Sequence, residues 1–282
     1  MSASDPGGDS LKFLGTAGAR FAVSTQLRHS GGLVWSIGGF TLWVDPGPGG
    51  LVRALASRPR VDPLSVDALL VSHRHLDHAG DATAVLEAMT EGGHRRRGAL
   101  LAPRDALETE PVVFRYAQEF PERRVVLEEK GEVELTKGLL LQTPLAHDHG
   151  TETLGYRLHA GDLRIAHVTD TFWMEALPEA YAGVDLLVVN ATRLRGGDRQ
   201  LLHLGWDDAE RLVGAVRPRA AVLTHFGIPV IRGQPENRAR EMTERLGIPV
   251  LAARDGMTVS LSDLGSLSRR AAEQGGPRVK PR

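Results

Sequence analysis

Between Ser72 and Ala79 the chain reads His73-Arg74-His75-Leu76-Asp77-His78, which places three imidazoles and one carboxylate in a single short run. Imidazole nitrogen and carboxylate oxygen together suit zinc, iron, nickel or manganese, whereas calcium and magnesium prefer oxygen alone. Three histidines this close cannot be buried among apolar groups without partners. The run therefore predicts the beginning of a two-metal site. The chain contains no cysteine, so disulfides and thiolate ligands are excluded and only His, Asp, Glu and water remain to hold a metal.

The elements that must position such a site are legible around it. Val66 to Ser72 is an apolar run of the kind expected for a strand covered on both faces, and Ala84 to Met89 beyond Gly80 reads as helix. The cluster thus falls on a strand-to-helix loop, where α/β sheets present their ligands. Three further residues occupy comparable places: His149 in the loop after Leu139-Leu140-Leu141, Asp170 at the end of Arg164 to Thr169, and His225 at the end of Ala220 to Thr224. Each alone is as readily a capping or hydrogen-bonded group as a ligand, and together they complete the cluster. Gly38-Gly39 between Leu33 to Ile37 and Phe40 to Asp45 predicts a β-hairpin, as does His159 to Asp162 between Leu154 to Leu158 and Leu163 to Val168. Further strands are expected at Val184 to Val189, Val250 to Ala252 and Met257 to Leu261. Helices are expected at Asp207 to Val216 and at Glu236 to Leu246, the latter framed by Pro235 and Gly247. Hairpins followed by β-α-β alternation in both halves predict an α/β fold of two mixed sheets packed together with helices outside.

With these residues in place, the chain resembles the metallo-β-lactamase fold hydrolases over most of residues 11 to 262. The family carries H-x-H-x-D-H, then a lone His, a bridging Asp and a last His at strand ends. The resemblance implies a four-layer αββα sandwich in which His73, His75 and His149 hold one divalent metal, Asp77, His78 and His225 a second, and Asp170 bridges both. Zinc is the metal expected, with manganese or iron as alternatives, and a bridging hydroxide is the implied nucleophile. His149 is preferred over His147 because His149-Gly150-Thr151-Glu152-Thr153-Leu154-Gly155-Tyr156 fits the phosphodiesterase frame of His, five residues, then Gly-Tyr; His147 becomes a pocket group. His203, before the helix that leads to His225, is similar to the histidine that faces the scissile phosphate in the endonuclease Z and cyclic phosphodiesterase branch. Asp77 and His203 are then the catalytic candidates. Only twenty residues separate His149 from Asp170, too few for the tRNA-clamping arm of common endonuclease Z enzymes, and Asn190 stands where those enzymes have glutamate. A compact phosphodiester, small molecule or short nucleotide, is the substrate expected, tRNA is disfavoured, and lactone or thioester hydrolysis or a sensor without turnover are the alternatives.

Composition bounds the remainder. With 282 residues, 41% hydrophobic and 24% charged content and a formal net charge of -1, the chain reads as an ordinary globular protein with no global attraction to nucleic acid or acidic membranes. No leader-like or membrane-length apolar stretch is visible, so a cytoplasmic protein is expected, and a homodimer is compatible with it. Residues 1 to 10 and 265 to 282, the latter with Arg269, Arg270, Arg278, Lys280 and Arg282, read as flexible tails around one domain at 11 to 264. Residues 88 to 125 read as an excursion near the mouth of the site, with Arg95-Arg96-Arg97 as a solvated loop. Gly15-Thr16-Ala17-Gly18 reads as a tight turn, and His29, His94, His159 and His167 as ordinary surface or core groups.

Overall fold

A computed structural model describes residues 8–274. Its strands are β1 (Ser10–Phe13), β2 (Leu33–Ile37), β3 (Phe40–Val44), β4 (Ala68–Leu70), β5 (Ala99–Pro103), β6 (Arg123–Leu127) and β7 (Gly131–Thr136) in the first part of the chain. They continue with β8 (Leu139–Thr143), β9 (Tyr156–Ala160), β10 (Leu163–Val168), β11 (Leu186–Asn190), β12 (Ala220–Thr224), β13 (Val250–Ala252) and β14 (Thr258–Ser260). Among the described residues these make two seven-stranded sheets, ordered β14-β1-β2-β3-β4-β5-β6 and β13-β12-β11-β10-β9-β8-β7. Each sheet is antiparallel from one edge to its middle and parallel from there to the other edge. The change falls at β3 in the first sheet and at β10 in the second.

The residue pattern of each strand follows from what covers it. Parallel strands β11 and β12 are buried at every position because helices lie on one face and the partner sheet on the other, and their sequences are accordingly unbroken Leu, Val and Ala up to a polar last residue. Edge strand β7, Gly-Glu-Val-Glu-Leu-Thr, instead alternates polar and apolar residues. Between the sheets lies a core that includes Leu11, Trp35, Leu70, Tyr156, Leu158 and Val222. Outside the first sheet the helices Gly50–Ala56 and Ala82–Met89 bury Ala54, Val85, Leu86 and Met89. The helices Trp206–Val216 and Pro235–Leu246 cover the second with Leu212, Val213, Ala239 and Met242. Each fully buried Leu, Val or Met contributes roughly 1.5–3 kcal/mol relative to exposure. The result is helix, sheet, sheet, helix, the four-layer sandwich expected.

Several expectations need correction. The C-terminal tail does not begin at 265, because Ser266–Glu273 is a helix whose Leu267 and Ala271 are buried in the inter-sheet core. The N-terminal tail does not extend to 10 either: Asp9 accepts from Gly38 N–H at 2.8 Å, and Ser10 opens β1. The parts of both tails at 1–7 and 275–282, with Arg278, Lys280 and Arg282, lie outside the described residues. Residues 88 to 125 are not an irregular excursion, although Asp105 and Glu110 within them pair with Arg74 beside the ligand turn. The stretch contains β5 and β6 with a one-turn π-helix, Asp105–Thr109, between them. None of them lines the cleft that holds the histidines. Among the described residues no helix is long and apolar enough to cross a membrane.

Candidate metal centre

The ends of the parallel strands from both sheets meet at one point. β4 delivers His73, with His75, Asp77 and His78 on the turn and short helix Leu76–Ala79 that follow. β10 delivers Asp170, β12 delivers His225, and the loop after β8 delivers His149. His225 has a left-handed backbone, φ 60°. Such a conformation costs energy in a non-glycine residue and recurs at functional sites. Gly18 makes room for the His225 ring. A Cβ there would lie 2.1 Å from His225 Nδ1, so the segment from Gly15 to Gly18 is more than a turn and packs directly on the cluster.

The side chains form two abutting sets. His75 Nδ1 stands 3.0 Å from His73 Nε2 and 3.1 Å from His149 Nε2. His225 Nε2 stands 2.9 Å from His78 Nε2 and 3.2 Å from Asp77 Oδ2. Between the sets, Asp170 Oδ2 lies 3.2 Å from His78 Nε2, 3.5 Å from His149 Nε2 and 3.9 Å from His73 Nε2. In His73, His75 and His149, as in Asp77, His78, Asp170 and His225, one ligand atom per residue falls within 4.8 Å of all the others. His203 Nδ1 approaches Asp170 Oδ2 at 3.5 Å, with its ring 4.8 Å from that of His149. All seven expected ligand residues and His203 are thus gathered in one place.

The remaining ring nitrogens show how each histidine is held. His149 Nδ1–H donates to the Leu202 carbonyl at 2.8 Å, which turns Nε2 toward His75. His78 Nδ1–H donates to Asp45 Oδ2 at 2.9 Å. Ser72 Oγ donates to the same Asp45 oxygen at 2.7 Å and so accepts from His73 Nδ1–H at 3.0 Å. His225 Nδ1 is bonded to Thr192 Oγ1 at 2.9 Å. Each of these rings is thus held in orientation by a protein group, with its Nε2 toward the cluster.

Asp45 is the residue that sequence reasoning missed. It reaches one histidine of each set, and its only signal was its place as a polar residue at the end of β3, next to β4 in the sheet. Arg74 also gains a role, since its guanidinium pairs with Asp105, Thr151 and Glu110 and ties the ligand turn to the segment after β5. His147 stays out of the cluster, its Nδ1 at 3.3 Å from the Asp170 carbonyl and its Nε2 accepting from Tyr181 at 2.7 Å. Burial pushes it down to about 3.

The charges fit cations. Burial alone would raise Asp170, yet the His225, His203 and His78 imidazoles beside it hold it well below the usual carboxylate range. Burial likewise works against Asp77, which His78 and His225 nevertheless hold low. Burial lowers His73 well below ordinary histidine. Burial works against a charge on His78 too, yet Asp77, Asp45 and Asp170 raise it well above ordinary histidine, so three carboxylates are concentrated among imidazoles in a buried space that divalent ions would suit.

Above the cluster opens a cleft of about 1020 Å³, whose floor includes His75, Asp77, His149, Asp170 and His203. Phe21, Leu201 and Ile228 give it apolar walls, and Arg20, Arg193 and Arg195 give it positive charge. His203 Nδ1 is buried there without a hydrogen-bond partner. Desolvation lowers this imidazole to about 4, so it is neutral at physiological pH.

A family model described as the beta-lactamase superfamily domain matches residues 41–226. The sequence is similar to the uncharacterized protein MJ1374 of Methanocaldococcus jannaschii, with 31% identity over 255 residues that cover 88% of this chain and 94% of that one. It is also similar to a UPF0173 metal-dependent hydrolase of Anaeromyxobacter sp. (strain K), at 28% identity over 80% of this chain and 83% of the other. Among solved structures, the metallo-beta-lactamase fold protein YhfI from Bacillus subtilis superposes with a TM-score of 0.72 at 16% identity, covering 89% of this chain and 99% of its own. A diphosphatase from the PhnP family does so at 0.65 and 20% identity, with coverage of 89% and 96%.

Proposed function

This chain belongs to the beta-lactamase superfamily, and from that premise we propose that it is a metal-dependent hydrolase using two divalent cations, zinc first, to cleave a compact phosphodiester. His73, His75 and His149 would hold one ion, Asp77, His78 and His225 the other, with Asp170 shared. Bound there, the ions supply a water of near-neutral pKa and offset charge on the phosphoryl oxygens.

The observation that carries the phosphodiester reading is His203. A buried, neutral imidazole with an unpartnered nitrogen at the floor of a cleft is held ready for a ligand. Its free N–H donates to a phosphoryl oxygen as negative charge builds there, and the anion in turn raises the affinity of the ring for a proton that can pass to the leaving oxygen. Asp77, anchored by Ala19 N–H at 2.9 Å, orients the attacking water. Arg20 and Arg195 line the cleft without an ion pair among the described residues and suit an anionic substrate. The hairpin β9–β10 occupies the chain between His149 and Asp170, which supports a small substrate over tRNA. The related proteins described as a metal-dependent hydrolase and a diphosphatase are compatible with this chemistry. A cytoplasmic setting belongs to the same proposal.

The apolar wall of Phe21, Leu201 and Ile228 favours one second reading, hydrolysis of a lactone or thioester with an acyl arm. Bis(p-nitrophenyl) phosphate, 2′,3′-cyclic nucleotides, an acyl-homoserine lactone and a glutathione thioester, assayed side by side, separate the two. The phosphodiesters are expected to turn over at least about 100-fold faster, and His203→Ala to lower that rate by about 10² to 10⁴ with metal content unchanged. Preference for the carbon esters, or a loss below about tenfold in His203→Ala, would sink the phosphodiester reading.

A further inference from the structure

Among the apolar residues between the sheets runs a line of buried polar groups. Trp35 Nε1–H, on β2 of the first sheet, donates to Tyr156 Oη at 2.7 Å. That oxygen lies 3.3 Å from His167 Nδ1, His167 Nε2 lies 3.0 Å from Asn190 Oδ1, and Asn190 Nδ2–H donates to Asp170 Oδ1 at 2.9 Å. Trp35, Tyr156, His167, Asn190 and Asp170 are each at most 4% exposed.

Both ends of this line are fixed chemically. An indole N–H can only donate, and an ionised carboxylate can only accept. The three groups between them can do either, and only one assignment satisfies all: Tyr156 O–H donates to His167 Nδ1, His167 Nε2–H donates to the Asn190 carbonyl oxygen, and the Asn190 amide donates to Asp170. The strand register makes this possible, since Tyr156 and His167 are directly paired across β9 and β10. Burial lowers His167 to about 4, which keeps it the neutral, singly protonated ring the chain requires.

The line ends on one oxygen only. Asp170 Oδ1 takes the Asn190 bond and lies 3.2 Å from His225 Nδ1, while Oδ2 faces His73, His78, His149 and His203. We propose that Trp35, Tyr156, His167 and Asn190 are positioning residues, in a line that starts on the opposite sheet at Trp35, that fix the rotation of the Asp170 carboxylate and so keep Oδ2 turned to the two metal positions. A bridging carboxylate free to rotate would present either oxygen to either position and lose the shared geometry. Aligned bonds in a buried chain also polarise one another, which strengthens the hold on the last acceptor.

The inference rests on the metal reading of the cluster, and the experiment keeps the two apart. Zinc affinity of the metal-free full chain is measured by chelator competition for wild type, Tyr156→Phe, Asn190→Ser and the double variant, together with the visible spectrum of the cobalt(II) forms. Wild type that takes up no metal overturns the metal reading itself. With wild type loaded, Asn190→Ser is expected to weaken binding roughly 10- to 100-fold and to alter the cobalt spectrum. Tyr156→Phe, which keeps the ring and breaks the line two bonds away, is expected to give a smaller loss of the same kind. Adding Tyr156→Phe to Asn190→Ser should then cost less than about twofold more, because both act through the same oxygen. Fully additive losses, or single variants within about twofold of wild type, would show only core polar groups satisfying one another and overturn the inference. Trp35→Phe removes the first donor from the far sheet and gives the same reading should Tyr156→Phe fail to fold.

Discussion

Asp45 is bonded to both halves of the candidate centre, to His78 directly and to His73 through Ser72. Its backbone is left-handed, φ 53°, and its side chain is buried. Removing one carboxylate therefore loosens a histidine in each ligand set at once. Asp45→Ala is expected to lower affinity for both metal ions by roughly 10- to 100-fold each, read as two weakened steps in a zinc titration. One weakened step beside one intact step would show that Asp45 serves only one position. The ligands themselves were legible because a single turn places His73, His75, Asp77 and His78 at fixed local spacing. Asp45 was not, because it meets them only through the parallel pairing of β3 with β4, a relation between distant segments. His167 could be read from the sequence only as a surface or core group for the same reason: its partners Tyr156 and Asn190 lie on the strands either side of it.

At the scale of elements, strands and helices with a full period announced themselves. Pro235 and Gly247 bracket a helix whose C-cap glycine takes φ 67°, as their types predict. The helix Ser266–Glu273 did not, since only Leu267 and Ala271 face inward and its Ser, Arg and Glu residues resemble a tail. It nevertheless closes one end of the inter-sheet core, and Arg270 donates to the Thr258 carbonyl at 3.0 Å, fastening it to β14. Leu267→Ala is expected to cost about 2–5 kcal/mol in urea unfolding while leaving zinc content unchanged. A loss under about 0.5 kcal/mol, the range of ordinary surface substitutions, would mean that this helix does not seal the core. Residues 88 to 125 misled because Arg95-Arg96-Arg97 and the acidic stretch near Glu108 dominate their composition. In the fold those charges pair at the surface, Arg97 with Asp67 and Arg124 with Glu108, while β5 between them is wholly buried.

For the whole molecule, buried neutral histidines set a pH limit. His147 and His167 are held down to about 3 and about 4, whereas in an unfolded chain they protonate near about 6.5. Between those values the unfolded state binds more protons than the folded one, so their contribution is complete above about pH 6.5 and is lost as pH falls toward 4. Urea unfolding at several pH values, with chelator present so that metal release does not enter, should show this decline. His147→Gln should flatten it by up to about 1.4 kcal/mol per pH unit, and an unchanged slope would show that this ring gains its proton equally in both states. The placement of ligands in both sheets also sets an order in time. The chain leaves the ribosome from its N-terminus, and with His149 made, the three histidines of the first proposed metal position exist, whereas the shared Asp170 follows β10 and His225 comes last, at the end of β12. On the proposed assignment neither position is complete until the second sheet has formed through β10, and the second position waits further for β12.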